Sequence, residues 1–390
     1  MKPQSFLAGI LALILSQLSP RAAEISLQSP LDFQVFQRAD ADAGRVEVRG
    51  HSEVEAPRWQ YRLAGKDRES KSLDESWRDF PAPPREGNFE FAVTTPAGGW
   101  YRVEVRAMKD GQPLADAGME HVGVGEVFVV AGQSNAGNYG AERQQPLSGQ
   151  VSSFDGKKWV IANDPQRGAG GDGGSFMPAF GDGMAERFRV PMGLVPVAAG
   201  GTSVRAWLPA GVKFPQQTTR GIGVRPAGGG QWESTGALFG KLAERLAALG
   251  PGGCRAVLWH QGESDAGQAR GGASPDQQIS GAQYAAFVET LIRASREHAR
   301  WSVPWFTALA TYHSETDSAD DEFRAAQKVA WDKGIAMPGP DTDALRGELR
   351  AGVHFKAMGL QKHGALWVEK VTPWLETQLS VEQRAGSRSR

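Results

Sequence analysis

One cysteine, Cys254, stands in a chain of 390 residues. No internal disulfide can close, and no cysteine-based metal site can form. Charge imbalance is also missing. The formal net charge is -1, so the electrostatic footprint of a nucleic-acid or anionic-membrane binder is absent. Membrane-length apolar runs are absent too: Phe6 to Leu15 is too short to span a bilayer securely. The Gly-rich stretch Gly168 to Gly174 lacks the Gly-Lys-Ser/Thr ending of a phosphate-binding loop, so a nucleotide site is rejected. No internal repeat is evident.

What remains is the make-up of an ordinary globular protein, 40% hydrophobic and 22% charged, long enough for a full core and for two domains. Its 12 Trp and 49 Gly residues point to many loops and flat apolar rings. Trp-rich clefts stack on sugars, but core packing is the default for most of these rings. At the N-terminus, Lys2, the apolar run and the small pair Ala22-Ala23 follow the order of a secretory signal peptide. Residues 1–23 are therefore expected to be removed on export to the periplasm or the exterior, the other reading being an uncleaved anchor.

Residues 24–124 read as strands. Phe33–Gln37, Arg45–Arg49, Phe89–Val93 and Tyr101–Val105 alternate, with Pro- and Gly-rich turns between them. That pattern predicts a small all-β sandwich, serving as a packing module or, less plainly, for glycan binding. From Gly125 the pattern changes. Glu126–Ala131, Gly193–Ala198, Arg255–Trp259 and Pro304–Leu309 are runs suited to strands buried on both faces. Helical periodicity fills Gly236–Leu249, Ala282–His298, Asp320–Lys333 and Met358–Leu379. Alternating strands and helices predict an α/β domain over 125–380 built on a doubly wound parallel sheet, with its site beyond the carboxyl ends of the strands. Residues 381–390 are expected to form a disordered tail.

Polar groups gather at those strand ends. Ser134, in Gly132-Gln133-Ser134-Asn135, follows the first buried strand. A serine hydroxyl is a weak nucleophile that needs a base and donors for the oxyanion. Taken alone, a helix N-cap serine is commoner. Gly200-Gly201-Thr202 ends the second strand, where the Gly201 N–H can face an oxyanion, although an ordinary glycine turn has the same composition. His260-Gln261-Gly262-Glu263 ends the third. Gln261 can donate its amide to the oxyanion and Glu263 can orient a histidine. Gly352-Val353-His354-Phe355 precedes the last helix and offers His354 as general base.

These four blocks, in this order, resemble those of the sialate O-acetylesterase and acetylxylan esterase group of the SGNH hydrolases, over roughly Gly125 to Leu379. The resemblance implies a flavodoxin-like three-layer α/β/α sheet, no metal or other cofactor, and an acetylated carbohydrate as substrate. It implies attack by Ser134, proton transfer through His354, and an oxyanion hole of the Ser134 and Gly201 N–H groups with the Gln261 amide. An acetyl-enzyme would form and then be hydrolysed. Many SGNH enzymes carry an aspartate three residues before the histidine, and here that position is Ala351. Glu263 is the expected acid partner, with Glu348 and Asp343 as fallbacks. Gln133, Asn135, Arg205 and Trp207 are candidates for substrate contacts, Arg205 for a sugar carboxylate. Three other readings stay open: an inactive glycan-binding or scaffold protein, which Ala351 favours; a lipase-like or arylesterase hydrolase; and a metal-dependent deacetylase, for which no ligand cluster can be assembled.

Overall fold

A computed structural model describes residues 24–218, 220–267 and 274–388. The expected signal peptide, 1–23, lies outside them. Strands β1 (Ile25–Ser29), β3 (Ala43–Ser52) and β6 (Asn88–Pro96) form one antiparallel sheet. Facing it are β2 (Val35–Gln37), β4 (Arg58–Ala64), β5 (Arg78–Asp79), β7 (Gly98–Lys109) and the first part of β8 (Gln112–Gly132). Alternation decides which side chains enter the space between them. In β3, Val46 and Val48 are buried while Arg45, Glu47 and Arg49 face solvent. They meet Trp59, Phe89, Tyr101, Val103 and Val105 in one core, each fully buried aliphatic or aromatic side chain contributing about 2 kcal/mol.

The expected boundary between residues 124 and 125 falls inside a strand. Strand β8 pairs antiparallel with β7 up to Val124, then runs on as the centre of a parallel sheet. That sheet has the order β10 (Trp159–Ile161), β9 (Val151–Phe154), β11 (Met192–Ala198), β8, β15 (Ala256–His260), β16 (Trp305–Leu309), β17 (Met337–Asp341). All neighbours after β10 are parallel. Among its five main strands the sequence order is 2-1-3-4-5, the flavodoxin-like arrangement, which reverses direction at β8.

Helices cover both faces. Val127, Val129 and Ala131 of β8 pack on the side of α2 (Ala237–Leu249), α4 (Gly281–Ala299) and α5 (Asp321–Asp332). Phe128 and Val130 point the other way, to α1 (Met177–Phe188) and α6 (Ala357–Arg388). Besides these there are a small sheet of β12 (Lys213–Phe214), β13 (Val224–Gly228) and β14 (Gln231–Ser234), the turn α3 (Glu263–Ala266) and the hairpin β18 (Arg350–Ala351)–β19 (His354–Phe355). Helix α6 runs on through Arg388, into the span expected to be a tail. Glu382 on its last turns accepts from Arg255 at 2.9 Å, and Arg255 also joins the buried Glu126–Arg38 pair. No described helix is long and apolar enough to cross a membrane.

Candidate active site

The carboxyl ends of β8, β11 and β15 meet at the point where the sheet order reverses, and an open cleft of about 440 Å³ lies above them. Ser134 opens a short 3-10 turn directly after β8. Gly132, with φ +139°, lets β8 pass against β15, since a Cβ there would sit 2.0 Å from the His260 carbonyl oxygen. Gly201 ends the β11 loop with φ +68°, a left-handed backbone that favours glycine. Ser134, Gly201 and His354 all line the cleft. The N–H groups of Ser134 and Gly201 meet no acceptor among the described residues. Two unpaired donors beside one serine are what a developing oxyanion requires.

His354 sits on the β18–β19 hairpin, built around the buried Arg350. That guanidinium donates to the carbonyls of Leu345, Thr342 and Val353 at 2.6, 2.6 and 2.7 Å. It also stacks on Phe355 and Tyr312. The His354 ring lies 5.6 Å from the Tyr139 ring, centre to centre. Burial, aided by the Arg350 charge, lowers its pKa from 6.5. The imidazole therefore stays neutral, and able to act as a base, to lower pH than a free one.

Glu263 is not in hydrogen-bond contact with His354. Its Oε1 accepts from Asn135 Nδ2 at 2.8 Å, and the same amide nitrogen donates to the Val353 carbonyl at 3.1 Å. Glu263 thus reaches the histidine only through Asn135 and the backbone before His354. The carboxyl is almost wholly buried, and its Oε2 has no partner. Burial pushes its pKa up to about 7, against the Asn135 hydrogen bond. His260 Nδ1 lies 3.7 Å from it, but burial lowers that imidazole to about 3, so the pair is no ion pair. The fallbacks fare no better. Asp343 accepts from the Thr311 and Tyr312 backbones and pairs with Arg324. Glu348 is exposed and outside the cleft.

The family model for carbohydrate esterase, sialic acid-specific acetylesterase, matches residues 124–372. The chain belongs to that family. It is a carbohydrate esterase. No curated protein sequence matches it. Among solved structures it is similar to a carbohydrate acetylesterase from Xanthomonas citri, with 16% identity, 88% of this chain and 73% of that chain covered, and a TM-score of 0.49. A protein from Arabidopsis thaliana gives 18%, 65%, 98% and 0.44 in the same order. An acetyl xylan esterase from Geobacillus stearothermophilus gives 13%, 63%, 94% and 0.40.

Several expected contacts of the esterase need correction. Gln261 is fully buried, and its amide is already donated to Asp265, Thr202 and Gln133 at 2.6, 3.1 and 3.3 Å. It is not presented to the oxyanion. Arg205 and Trp207 are fully buried as well. Arg205 donates to the carbonyls of Gln216, Gln217 and Gln277, and Trp207 to the Thr202 hydroxyl at 3.0 Å. Asn135 braces Glu263 rather than substrate. Gln133 lines the cleft, but its side-chain oxygen accepts the Ser264 N–H at 3.0 Å.

In their place the cleft wall holds Tyr139, Arg220, Ile222, Ser264 and His313. Arg220 rests against Gly201, where a Cβ would meet its guanidinium at 2.3 Å. Among the described residues lining the cleft it is the one arginine or lysine, the kind of group expected of Arg205. His313 follows β16, and its Nε2 lies 2.5 Å from the Glu263 carbonyl oxygen. The strand-end argument applied to the fourth buried run would have found His313. Arg220 and Ile222 sit on an irregular loop that carries no periodic signal. Among the described residues no group of three His, Cys, Asp or Glu side chains is set to hold a metal ion.

Proposed function

We propose that this esterase removes O-acetyl groups from a carbohydrate through an acetyl-enzyme on Ser134. The observation that carries the reading is the Ser134 hydroxyl and two unpaired N–H groups, of Ser134 and Gly201, in one cleft with a neutral His354. His354 takes the hydroxyl proton as Ser134 Oγ attacks the acetyl carbonyl carbon. The two N–H groups hold the oxyanion. Collapse breaks the bond to the sugar oxygen, which receives the proton from His354. Water, deprotonated by the same imidazole, then releases acetate. Glu263, joined by Asn135 to the Val353 carbonyl, holds the His354 hairpin in place. In this reading the mature chain acts outside the cytoplasm, the leader at 1–23 having been removed.

The test is acetate release from 4-nitrophenyl acetate, from acetylated neutral xylan and from acetylated sugars carrying a carboxylate, set against longer acyl esters. Preference for acetyl, with release from at least one glycan, supports the reading. Preference for long chains would favour the lipase-like alternative. No release from any ester would favour the binding protein. Acidic sugars are included because Arg220 makes no ion pair among the described residues.

A pH profile checks the base. With the His354 pKa lowered, the acid limb of kcat/KM is expected below pH 6.5, since the imidazole must be neutral to accept a proton. A limb at or above 6.5 would remove His354 from the role.

A further inference from the structure

The reaction leaves unused a carboxylate that is joined to both halves of the oxyanion site. Asp265 is 1% exposed and lies where the loops after β8, β11 and β15 converge. Ser203 Oγ donates to its Oδ1 at 2.5 Å, while the Val204 N–H and the Gln261 amide donate to Oδ2 at 2.7 and 2.6 Å. The Arg205 guanidinium, fully buried, stands 3.9 Å away and balances the charge. A carboxylate is kept at such depth only when its lone pairs are filled and a cation is near.

Each donor belongs to a segment that carries a reacting group. Ser203 and Val204 follow Gly201 directly, so their two bonds fix the end of the oxyanion loop. The Gln261 amide, held by Asp265, also donates to the Thr202 carbonyl at 3.1 Å and to Gln133 Oε1 at 3.3 Å. Gln133 precedes Ser134. Asp265 is therefore joined to the Gly201 side through Ser203 and Val204, and to the Ser134 side through Gln261 and Gln133.

We infer that Asp265 is the positioning residue of the oxyanion site, setting the spacing of the Ser134 and Gly201 N–H groups for a tetrahedral adduct. This rests on the proposed esterase reaction. The physical demand is severe, because fixed donors stabilise charge only where it develops, and a displacement near 1 Å costs roughly a hundredfold. A planar ester carries less charge on its oxygen than the adduct. Misplaced donors therefore slow the chemical step and leave binding nearly unchanged.

The test uses the whole protein with Asp265→Asn, which replaces one accepting oxygen by a donor, against either Ser203 or the Val204 and Gln261 N–H groups, and removes the charge opposite Arg205. Three quantities are compared with wild type: the acylation rate constant with 4-nitrophenyl acetate, its half-saturation, and the affinity for methylboronic acid, which forms a tetrahedral adduct on serine. The expected result is a fall of roughly a hundredfold in rate, a parallel loss of boronate affinity, and half-saturation within about twofold. Unchanged boronate affinity, or a loss confined to half-saturation, would overturn the inference. If Asp265→Asn does not fold, Ser203→Ala removes one donor to Asp265, and the same split is expected at roughly tenfold. A wild-type rate in Ser203→Ala would then count against it. Absence of Ser134-dependent acetate release in the wild type would strike the esterase reading itself, before any variant is compared.

Discussion

Ser134→Ala is expected to lower kcat for acetate release by roughly 10⁴- to 10⁶-fold, and His354→Ala by a similar factor, with the double variant no worse than either alone. Nucleophile and base act as one unit, so once either is gone the other has nothing to do. The residual rate comes from the oxyanion donors and from binding, which both variants keep. The Ser134 hydroxyl lines the cleft and holds nothing else together, so the melting temperature of Ser134→Ala should match wild type. Steady-state turnover of 4-nitrophenyl acetate, with a thermal melt of each variant, checks both halves. Additive losses in the double variant would mean that the two side chains serve separate steps.

The second large effect is on stability, at Glu263. Its pKa in the folded protein is about 7, against an ordinary value of 4.5. A group raised by folding holds its proton more tightly in the native state. Its stabilisation is complete below pH 4.5 and is lost as pH rises through 7. By pH 8 the buried carboxylate costs up to about 3 kcal/mol. Glu263→Gln keeps an oxygen for Asn135 and cannot ionise. It should therefore match wild type near pH 4.5 and exceed it at pH 8, as read by urea unfolding at both values. Turnover separates the two roles open to this residue. If Glu263 holds the hairpin through Asn135, Glu263→Gln keeps kcat within about threefold, while Glu263→Ala, which strands a buried amide, loses roughly tenfold or more. If the carboxylate had to stabilise a charged imidazole, Glu263→Gln would lose about 10⁴-fold.

The double-wound sheet was legible because its strands are buried on both faces, which writes continuous apolar runs such as Val127–Ala131 and Leu194–Ala198 into the sequence. The elements that escaped notice each break such a pattern. Strand β17 reads Met-Pro-Gly-Pro-Asp, tolerable only at a sheet edge, which is where it lies. Helix α1 starts at Met177, with Pro178 second, and carries Gly181 and Gly183, which mask its buried stripe of Met177, Phe180, Met184 and Phe188.

At the site, chain position pointed to the strand ends but not to the direction of each side chain. Ser134, Gly201 and His354 reach the cleft. Gln261 and Asn135, from the same blocks, and Arg205, three residues beyond one of them, turn inward and tie loops together, because buried amides and guanidinium groups must fill their hydrogen-bonding capacity. Sequence spacing does not reveal which polar group faces water and which faces protein. Arg220 comes from a loop about 20 residues beyond the glycine block, and only the fold brings it back to Gly201.

The most direct test is to mix the enzyme with excess 4-nitrophenyl acetate, quench within milliseconds to seconds, and locate any covalent acetyl group by peptide mass. The account predicts a burst of 4-nitrophenol and an acetyl group on the peptide containing Ser134, accumulating further when His354 is replaced by Gln if acylation still proceeds. Turnover with no burst and no acetyl-peptide, or an acetyl group on another residue, would contradict it.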